Sequence, residues 1–441
     1  MQEYLPFGDT YGPLNVGKIG YYPDRLHKVL DGNPYDLIPV TVHLVPTMRC
    51  THRCYFCTYG GAKERQAREQ TQSSVLDMPL EMIIDTIGQL ARAGVQGIIF
   101  TGGGEPTLYK GLIQAMGACK TAQIDFSLNT NGSGLTDDFI HAVMPLEPVY
   151  IRVSLNSGST EVQKLITGAN DFEQVLNKIE RLMYEKISTS AKTTIAVAFA
   201  VEILNLYDIK KLVDRLVEIE KRVRKITGVK CPITMVVRPV SNYENSKHYD
   251  ETRIKDIVQY LKKRGTDDEG DFLSFMYESH QCTAKHLDIA TNILDKDIRP
   301  ALFAMDTGVN VFYPSQKFQD LPRVKEKRYT KCFSTSWFLF IWPDGTVYPC
   351  VEWAGTPGFE IGTLKTQTLA EILSGSRRKE VCEWINDAIL HTRCAPICAH
   401  HEMNSLLARV SGPSKNDDRT QLIDSMERLS SHSKPQDVSF I

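Results

Sequence analysis

Arg49–Gly61 reads RCTHRCYFCTYGG and sets Cys50, Cys54 and Cys57 at the spacing C-x3-C-x2-C. No fourth cysteine or suitably spaced histidine follows to complete a tetrad; His52 sits inside the triplet, too close in the chain. Structural zinc takes four protein ligands. Three thiolates wrapped by one short loop suit an iron–sulfur cube that keeps one iron open to a non-protein ligand. The residues just before, VTVHLVP (Val40–Pro46), form a nearly continuous apolar run, as expected of a parallel strand buried on both faces.

The same texture recurs downstream. GIIFT (Gly97–Thr101), FSLNT (Phe126–Thr130), YIRVSLN (Tyr150–Asn156), TIAVAFAV (Thr194–Val201) and TMVVRPV (Thr234–Val240) also read as strands. Amphipathic stretches separate them. In LEMIIDTIGQLARAG, Ile83, Ile84, Ile87, Leu90 and Ala91 mark one helical face and Gly94 stops it. FEQVLNKIERLMYEK and DIKKLVDRLVEIEKRVRK follow the same logic. Six βα units in series predict an α/β fold, a partial (β/α)6 TIM-like barrel over residues 40–241, short of the roughly eight that close a full barrel. Residues 1–39 form an N-terminal extension, and the polar stretch 242–331 a connector with a helix pattern at Arg253–Arg264. A separate region spans 332–405, where WFLFIWPDGTVYPC sets two strand-like runs around Asp344-Gly345, a hairpin signal. Residues 406–441 read as a helix and tail whose Ser-, Asp- and Lys-rich end is expected to be mobile.

Composition narrows the function classes. The 441 residues are 42% hydrophobic with a formal net charge of −2, which gives no electrostatic reason to expect nucleic acid or an anionic membrane. The basic runs KRVRK (Lys221–Lys225) and SRRK (Ser376–Lys379) lie in Glu-rich helical patterns and read as solvated helix faces. No signal-peptide pattern opens the chain, and no apolar run approaches the ~20 residues of a membrane span. A soluble cytoplasmic protein is expected. There, eleven cysteines point to metal rather than to a disulfide framework.

On these residues the chain resembles the radical SAM superfamily. CTHRCYFC fits the signature C-x3-C-x-Φ-C, with Phe56 as the aromatic residue, directly after the first strand as in the family. TGGGEPTL (Thr101–Leu108) follows the second strand and is similar to the GGE motif; it lacks the G-x-x-x-x-G-K-[ST] pattern of a phosphate loop. The resemblance implies that Cys50, Cys54 and Cys57 hold a 4Fe-4S cluster whose open iron is chelated by S-adenosyl-L-methionine (SAM). It further implies that Gly103, Gly104 and Glu105 meet the SAM amino group. Asn129, Asn131, Ser154 and Asn156 lie where the family contacts the SAM carboxylate or ribose, or else satisfy loop backbone groups. Arg238 is a candidate for the substrate, the SAM carboxylate or a salt bridge. The implied activity is reductive cleavage of SAM to a 5′-deoxyadenosyl radical, fed by an external one-electron reductant such as flavodoxin or ferredoxin.

A second constellation comprises Cys332, Cys350, Cys394 and Cys398. Cys332, Gly345 and Cys350 resemble the C-x9-15-G-x4-C element of the SPASM and twitch extensions of that superfamily, and RCAPIC adds two thiols. The resemblance implies a second, auxiliary 4Fe-4S cluster fully ligated by cysteine, with zinc as the competing occupant and Cys382 as a substitute ligand. The full seven-cysteine SPASM pattern is absent, a departure toward the shorter, twitch-like version. A fully ligated cluster passes electrons, so dehydrogenation or epimerisation of a sugar- or aminocyclitol-like small molecule is expected. In an epimerase Cys282 or Cys382 would return the hydrogen atom. Cys119 and Cys231 read as packed thiols, and His400 and His401 as surface residues or neighbours of a ligand. The 49 residues before Cys50 are few for a leader-peptide module plus the first strand. A maturase of peptide or protein side chains is the second enzymatic reading. A zinc-binding, cysteine-rich interaction protein is the alternative from another class.

Overall fold

The computed structural model describes residues 16–57, 76–240, 251–274, 283–305, 307–321, 323–324 and 326–411, with 423, 424, 428, 434, 436, 437, 439 and 440 near the C-terminus. Its strands are β1 (Thr41–Leu44), β2 (Gly97–Phe100), β3 (Asp125–Thr130), β4 (Tyr150–Ser154), β5 (Thr194–Val201), β6 (Ile233–Pro239), β7 (Val309–Phe312), β8 (Phe338–Ile341), β9 (Thr346–Tyr348) and β10 (Gly362–Thr363). They form one ten-stranded sheet in the order β10-β9-β8-β1-β2-β3-β4-β5-β6-β7. Every pairing from β8 across to β7 is parallel, and β9 and β10 are antiparallel. Helices return the chain between strands: α1 (Leu80–Ala93), α2 (Leu112–Thr121), α3 (Asp137–Val143), α4 (Thr160–Thr167), α5 (Phe172–Thr189) and α6 (Asp208–Thr227).

Local chemistry explains these boundaries. Helix α1 ends on Gly94 at φ +89°, a conformation that glycine adopts without a Cβ penalty. Ser159 caps α4 by accepting from Val162 N, and Thr136 caps α3 by accepting from Phe139 N. Along each central strand, alternate residues such as Val42, Leu44, Ile98 and Phe100 are fully buried. Burying such a side chain stabilises the fold by about 1.5–3 kcal/mol.

The sheet extends past the six expected strands on both sides. β7 lies inside the stretch 242–331, read from sequence as a connector with a helix pattern; VNVF has four residues and a mostly half-exposed edge, too short to show a period. β8, expected only as one arm of a hairpin, also pairs in parallel with β1 through Thr41↔Phe338 to Leu44↔Ile341. The cysteine-rich C-terminal region is thereby continuous with the barrel sheet.

The described part of the tail is docked, contrary to the expectation of a mobile end. Thr41 Oγ1 donates to Ser439 O at 2.8 Å, and the Phe440 ring stands edge-on to Tyr150 with centroids 5.4 Å apart. Lys18 and Asp437 form an ion pair at 2.9 Å with both side chains almost fully buried. Polar composition hid this anchor because a few residues carry it, and they fill the inner face at the strands' N-terminal ends.

Just past β5, Glu202 is fully buried, with Leu204 N donating to its carboxylate at 2.8 Å. Burial pushes its carboxyl up to about 7. The folded state therefore holds this proton more tightly than the unfolded chain, and the group's contribution falls as pH rises from its ordinary 4.5 through 7. Glu202→Gln should gain on the wild type over that window by on the order of 3 kcal/mol, checked by denaturant unfolding at pH 5 and pH 8.

Candidate metal centres

β1 delivers the chain at Leu44 to the loop that carries the triplet. Several bonds pin this loop to neighbouring strand ends. Arg53 N donates to Thr167 O at 2.7 Å, Glu105 N to Arg49 O at 2.6 Å, and Cys57 N to Cys54 O at 3.2 Å. His52 is buried and its Nε2 meets Asp171 Oδ2 at 2.7 Å, so it ties the loop to the start of α5 rather than offering itself to a metal. Asn131 Nδ2 reaches Cys50 Sγ at 3.7 Å and Thr51 Oγ1 at 3.1 Å. Cys50, Cys54 and Cys57 are all half-buried.

The glycine run packs against the chain just upstream of these thiols. A Cβ on Gly104 would run into the carbonyls of Thr47 and Arg49, and one on Gly103 would strike the Met48 side chain. Gly104→Ala should thus push the backbone before Cys50 out of place and lower the iron held by the triplet, read by iron counting. Glu105, 2% exposed, follows. Its Oε1 accepts from Thr107 N at 3.0 Å and from the Thr130 hydroxyl at 2.5 Å, and its Oε2 from Asn131 N at 2.5 Å. Glu105 therefore joins the glycine loop to the end of β3, and through Asn131 to Cys50. Glu105→Gln would place an NH2 where an acceptor is needed. We expect SAM affinity to fall ten-fold or more and thermal stability to drop, in equilibrium binding and melting measured side by side.

The other expected contacts divide. Phe56 is half-buried, its ring edge-on to Tyr55 at 5.3 Å. Asn129 donates to Thr101 Oγ1 at 3.3 Å and leaves a buried Oδ1 without a partner. Ser154 is half-buried at the end of β4, and Arg238 is exposed on β6 between buried neighbours. Asn156 Oδ1 accepts from Ala200 N at 2.7 Å, which ties β4 to β5. Cys119 and Cys231 are buried, as expected of packed thiols. Cys382 is 0% exposed, and burial pushes its thiol up to about 11. A hydrogen donor must touch substrate, and this thiol meets no open surface. Cys282 lies outside the described residues.

Cys332, Cys350, Cys394 and Cys398 line a single cavity, together with Lys327, Tyr329, Glu352, Trp353, His400 and Asn404. Burial raises three of the thiols, Cys394 and Cys398 to about 12 and Cys350 well above its ordinary value. Iron bound at the centre would reverse that preference, since a coordinating thiol is deprotonated outright. Donors already point at sulfur: Trp353 Nε1 at 3.4 Å from Cys394 Sγ and Asn404 Nδ2 at 3.6 Å from Cys332 Sγ. Such bonds tune a cluster's potential. Lys327 donates to Ala395 O and Pro396 O, and Lys317 to Cys398 O at 3.3 Å, so two cations hold the RCAPIC loop. Among the described residues the one group of three or more possible ligand atoms within 4.8 Å of one another is Asp268, Asp271 and His286. Tetrahedral zinc would hold thiolates about 3.8 Å apart, from Zn–S bonds near 2.3 Å. Neither cysteine set is among the groups of three or more ligand atoms gathered within 4.8 Å.

Sequence reasoning missed an aromatic link. The His43 ring on β1 stacks on Phe340 at 4.3 Å and meets Phe338 at 6.3 Å, while His400 lies over Phe338 at 4.3 Å. Burial lowers His43 to about 3 and His400 to about 4, so both rings are neutral at pH 7. Only the parallel pairing of β8 with β1 brings them together.

Comparison with known proteins agrees with this geometry. The family model described as Radical SAM superfamily matches residues 44–202, and the SPASM model, an iron–sulfur cluster-binding domain, matches 332–400. A probable GTP 3′,8-cyclase of Thermococcus kodakarensis is 33% identical over 146 residues, 32% of this chain and 43% of that protein. The chain thus spans less than half the length of that relative. A probable GTP 3′,8-cyclase of Methanocaldococcus jannaschii is 25% identical over 287 residues, 62% of this chain and 89% of that protein. The crystal structure of Streptococcus suis SuiB bound to precursor peptide SuiA superposes with a TM-score of 0.50 at 14% identity, covering 85% of this chain and 74% of that one. Among the described residues no helix is long and apolar enough to cross a membrane. The cofactors are a SAM-binding 4Fe-4S cluster, SAM and an auxiliary cluster. The chain belongs to the radical SAM superfamily and carries a C-terminal SPASM domain.

Proposed function

We propose that this enzyme removes hydrogen from a C–H bond of a small polar molecule, sugar- or aminocyclitol-like, and dehydrogenates it. When bound, SAM and the first cluster supply a 5′-deoxyadenosyl radical and the second cluster an electron acceptor, with an external reductant starting the cycle. The observation that carries the reading is the cavity lined by four thiols, set in aromatic contact with the barrel interior through His400, Phe338 and His43. Full cysteine ligation leaves no iron for substrate, which favours electron transfer there. Buried Cys382 meets no open surface, so an epimerase would need Cys282 as its hydrogen donor.

The chain's own residues shape the interior. On β5, Ala196, Ala198 and Ala200 share the face of Arg152 and Ser154 on β4 and of Arg238 on β6. Small side chains between polar ones leave room for a hydrogen-bonding substrate. His43, neutral at pH 7, offers one donor and one acceptor on the same side. Perdeuterated aminocyclitols and sugars, incubated with reduced enzyme and SAM, should pass deuterium into 5′-deoxyadenosine and lose two hydrogens. GTP and a peptide serve as parallel arms, GTP because the matched relatives are named as its cyclases. Deuterium arriving from either of those, with none from the polyols, would overturn the reading.

A further inference from the structure

The SRRK run opens α7 (Ser376–Trp384), and the expectation of a solvated face fails at its third residue. Arg378 is 2% exposed. The electrostatics at this helix start are inverted. A helix N-terminus carries partial positive charge and is stabilised by acids. This first turn has no acid and instead sets Arg377, Arg378 and Lys379 in succession. The N-cap is Gly375, which has no side chain to accept from the helix's first N–H groups.

The three cations differ in how they are satisfied. Arg377 donates to Gly358 O at 2.8 Å and Glu360 O at 3.1 Å, and Lys379 reaches Glu383 at 3.9 Å. Arg378 has two long bonds of 3.4 Å, to Leu373 O and Ser336 O, and its buried Nε has no partner. It forms no ion pair among the described residues. A buried guanidinium in this state is costly until a countercharge arrives. Beside it lies a cavity of about 470 Å³, lined by Arg378, Lys379, the turn Ser374–Ser376, and Tyr35, Leu37 and Ile38.

We propose that this cavity binds an oxyanion, the phosphate or carboxylate group of a small molecule, seated on the N-terminus of α7 and on Arg378. Free N–H groups at a helix start and a guanidinium are matched donors for such a group. Leu37 and Ile38 give an apolar wall for the body that carries it, and the volume suits a molecule of metabolite size. Asp36 lines the same cavity and opposes an anion there. Tyr35 connects the cavity to the auxiliary centre: Asn386 donates to its hydroxyl at 3.0 Å and accepts from Cys332 N at 2.8 Å.

The test uses the full chain, purified without oxygen, and needs neither SAM nor substrate, so it stands apart from the proposed reaction. Inorganic phosphate and acetate are titrated separately while melting temperature and binding heat are followed. Wild type should respond saturably to at least one anion, and which one identifies the group. Arg378→Met should melt higher than wild type in anion-free buffer, because it replaces an unpaired buried cation with an apolar chain of similar length. It should also weaken anion binding ten-fold or more. Asp36→Asn should tighten binding, which keeps the test open if Arg378→Met does not fold. No saturable response in wild type, an unchanged response in Arg378→Met, or no tightening in Asp36→Asn overturns the site.

Discussion

Replacing Cys50, Cys54 and Cys57 together with alanine should abolish 5′-deoxyadenosine formation and leave about half of the iron, the share held by one of two 4Fe-4S clusters. The loop is fixed by bonds from Arg53, Glu105 and His52 that do not involve the thiols, so the barrel should stay folded without them. Circular dichroism and melting separate loss of the cluster from loss of the fold. The remaining iron should sit at Cys332, Cys350, Cys394 and Cys398, which line a separate cavity. Formation of 5′-deoxyadenosine at the wild-type rate would mean that the triplet is not the SAM-cleaving site.

The double change Cys394→Ala, Cys398→Ala has the second large effect, and of the opposite kind. It should remove about four irons per chain while SAM cleavage continues, now without oxidised product. Both thiols come from one loop that Lys317 and Lys327 hold by its carbonyls, so the loop itself should persist. The outcome depends on redox activity at this site. Zinc found there in protein purified without oxygen would remove the electron-acceptor role, because zinc has no redox chemistry.

Much of this was legible in the chain itself. The strand before Cys50 and the helix face of Ile83, Ile84, Ile87, Leu90 and Ala91 carry readable periodicities, and the structure buries Ile83, Ile87 and Leu90 but leaves Ile84 44% exposed. The spacing of the triplet is local and visible in the sequence, whereas Cys332, Cys350, Cys394 and Cys398 are far apart in the chain and the fold gathers them around one cavity. Contacts that depend on which strands become neighbours were not. β7 is a short edge strand, and the parallel pairing of β8 with β1 joins residues about 300 positions apart, so the link between His43, Phe338 and His400 leaves no local trace. Arg378 was hidden for another reason. Its neighbours Arg377 and Lys379 are exposed, and one buried residue in a basic run has no signature.

The central claim is that this chain cleaves SAM reductively at the triplet while a second cluster is held by Cys332, Cys350, Cys394 and Cys398. Anaerobic reconstitution followed by iron and sulfide counting, with 5′-deoxyadenosine quantified after reduction in the presence of SAM, tests it most directly. The account predicts a brown protein with about eight irons per chain and 5′-deoxyadenosine formed only when reductant and SAM are both present. A colourless protein that takes up zinc at both cysteine sets and forms no 5′-deoxyadenosine would contradict it.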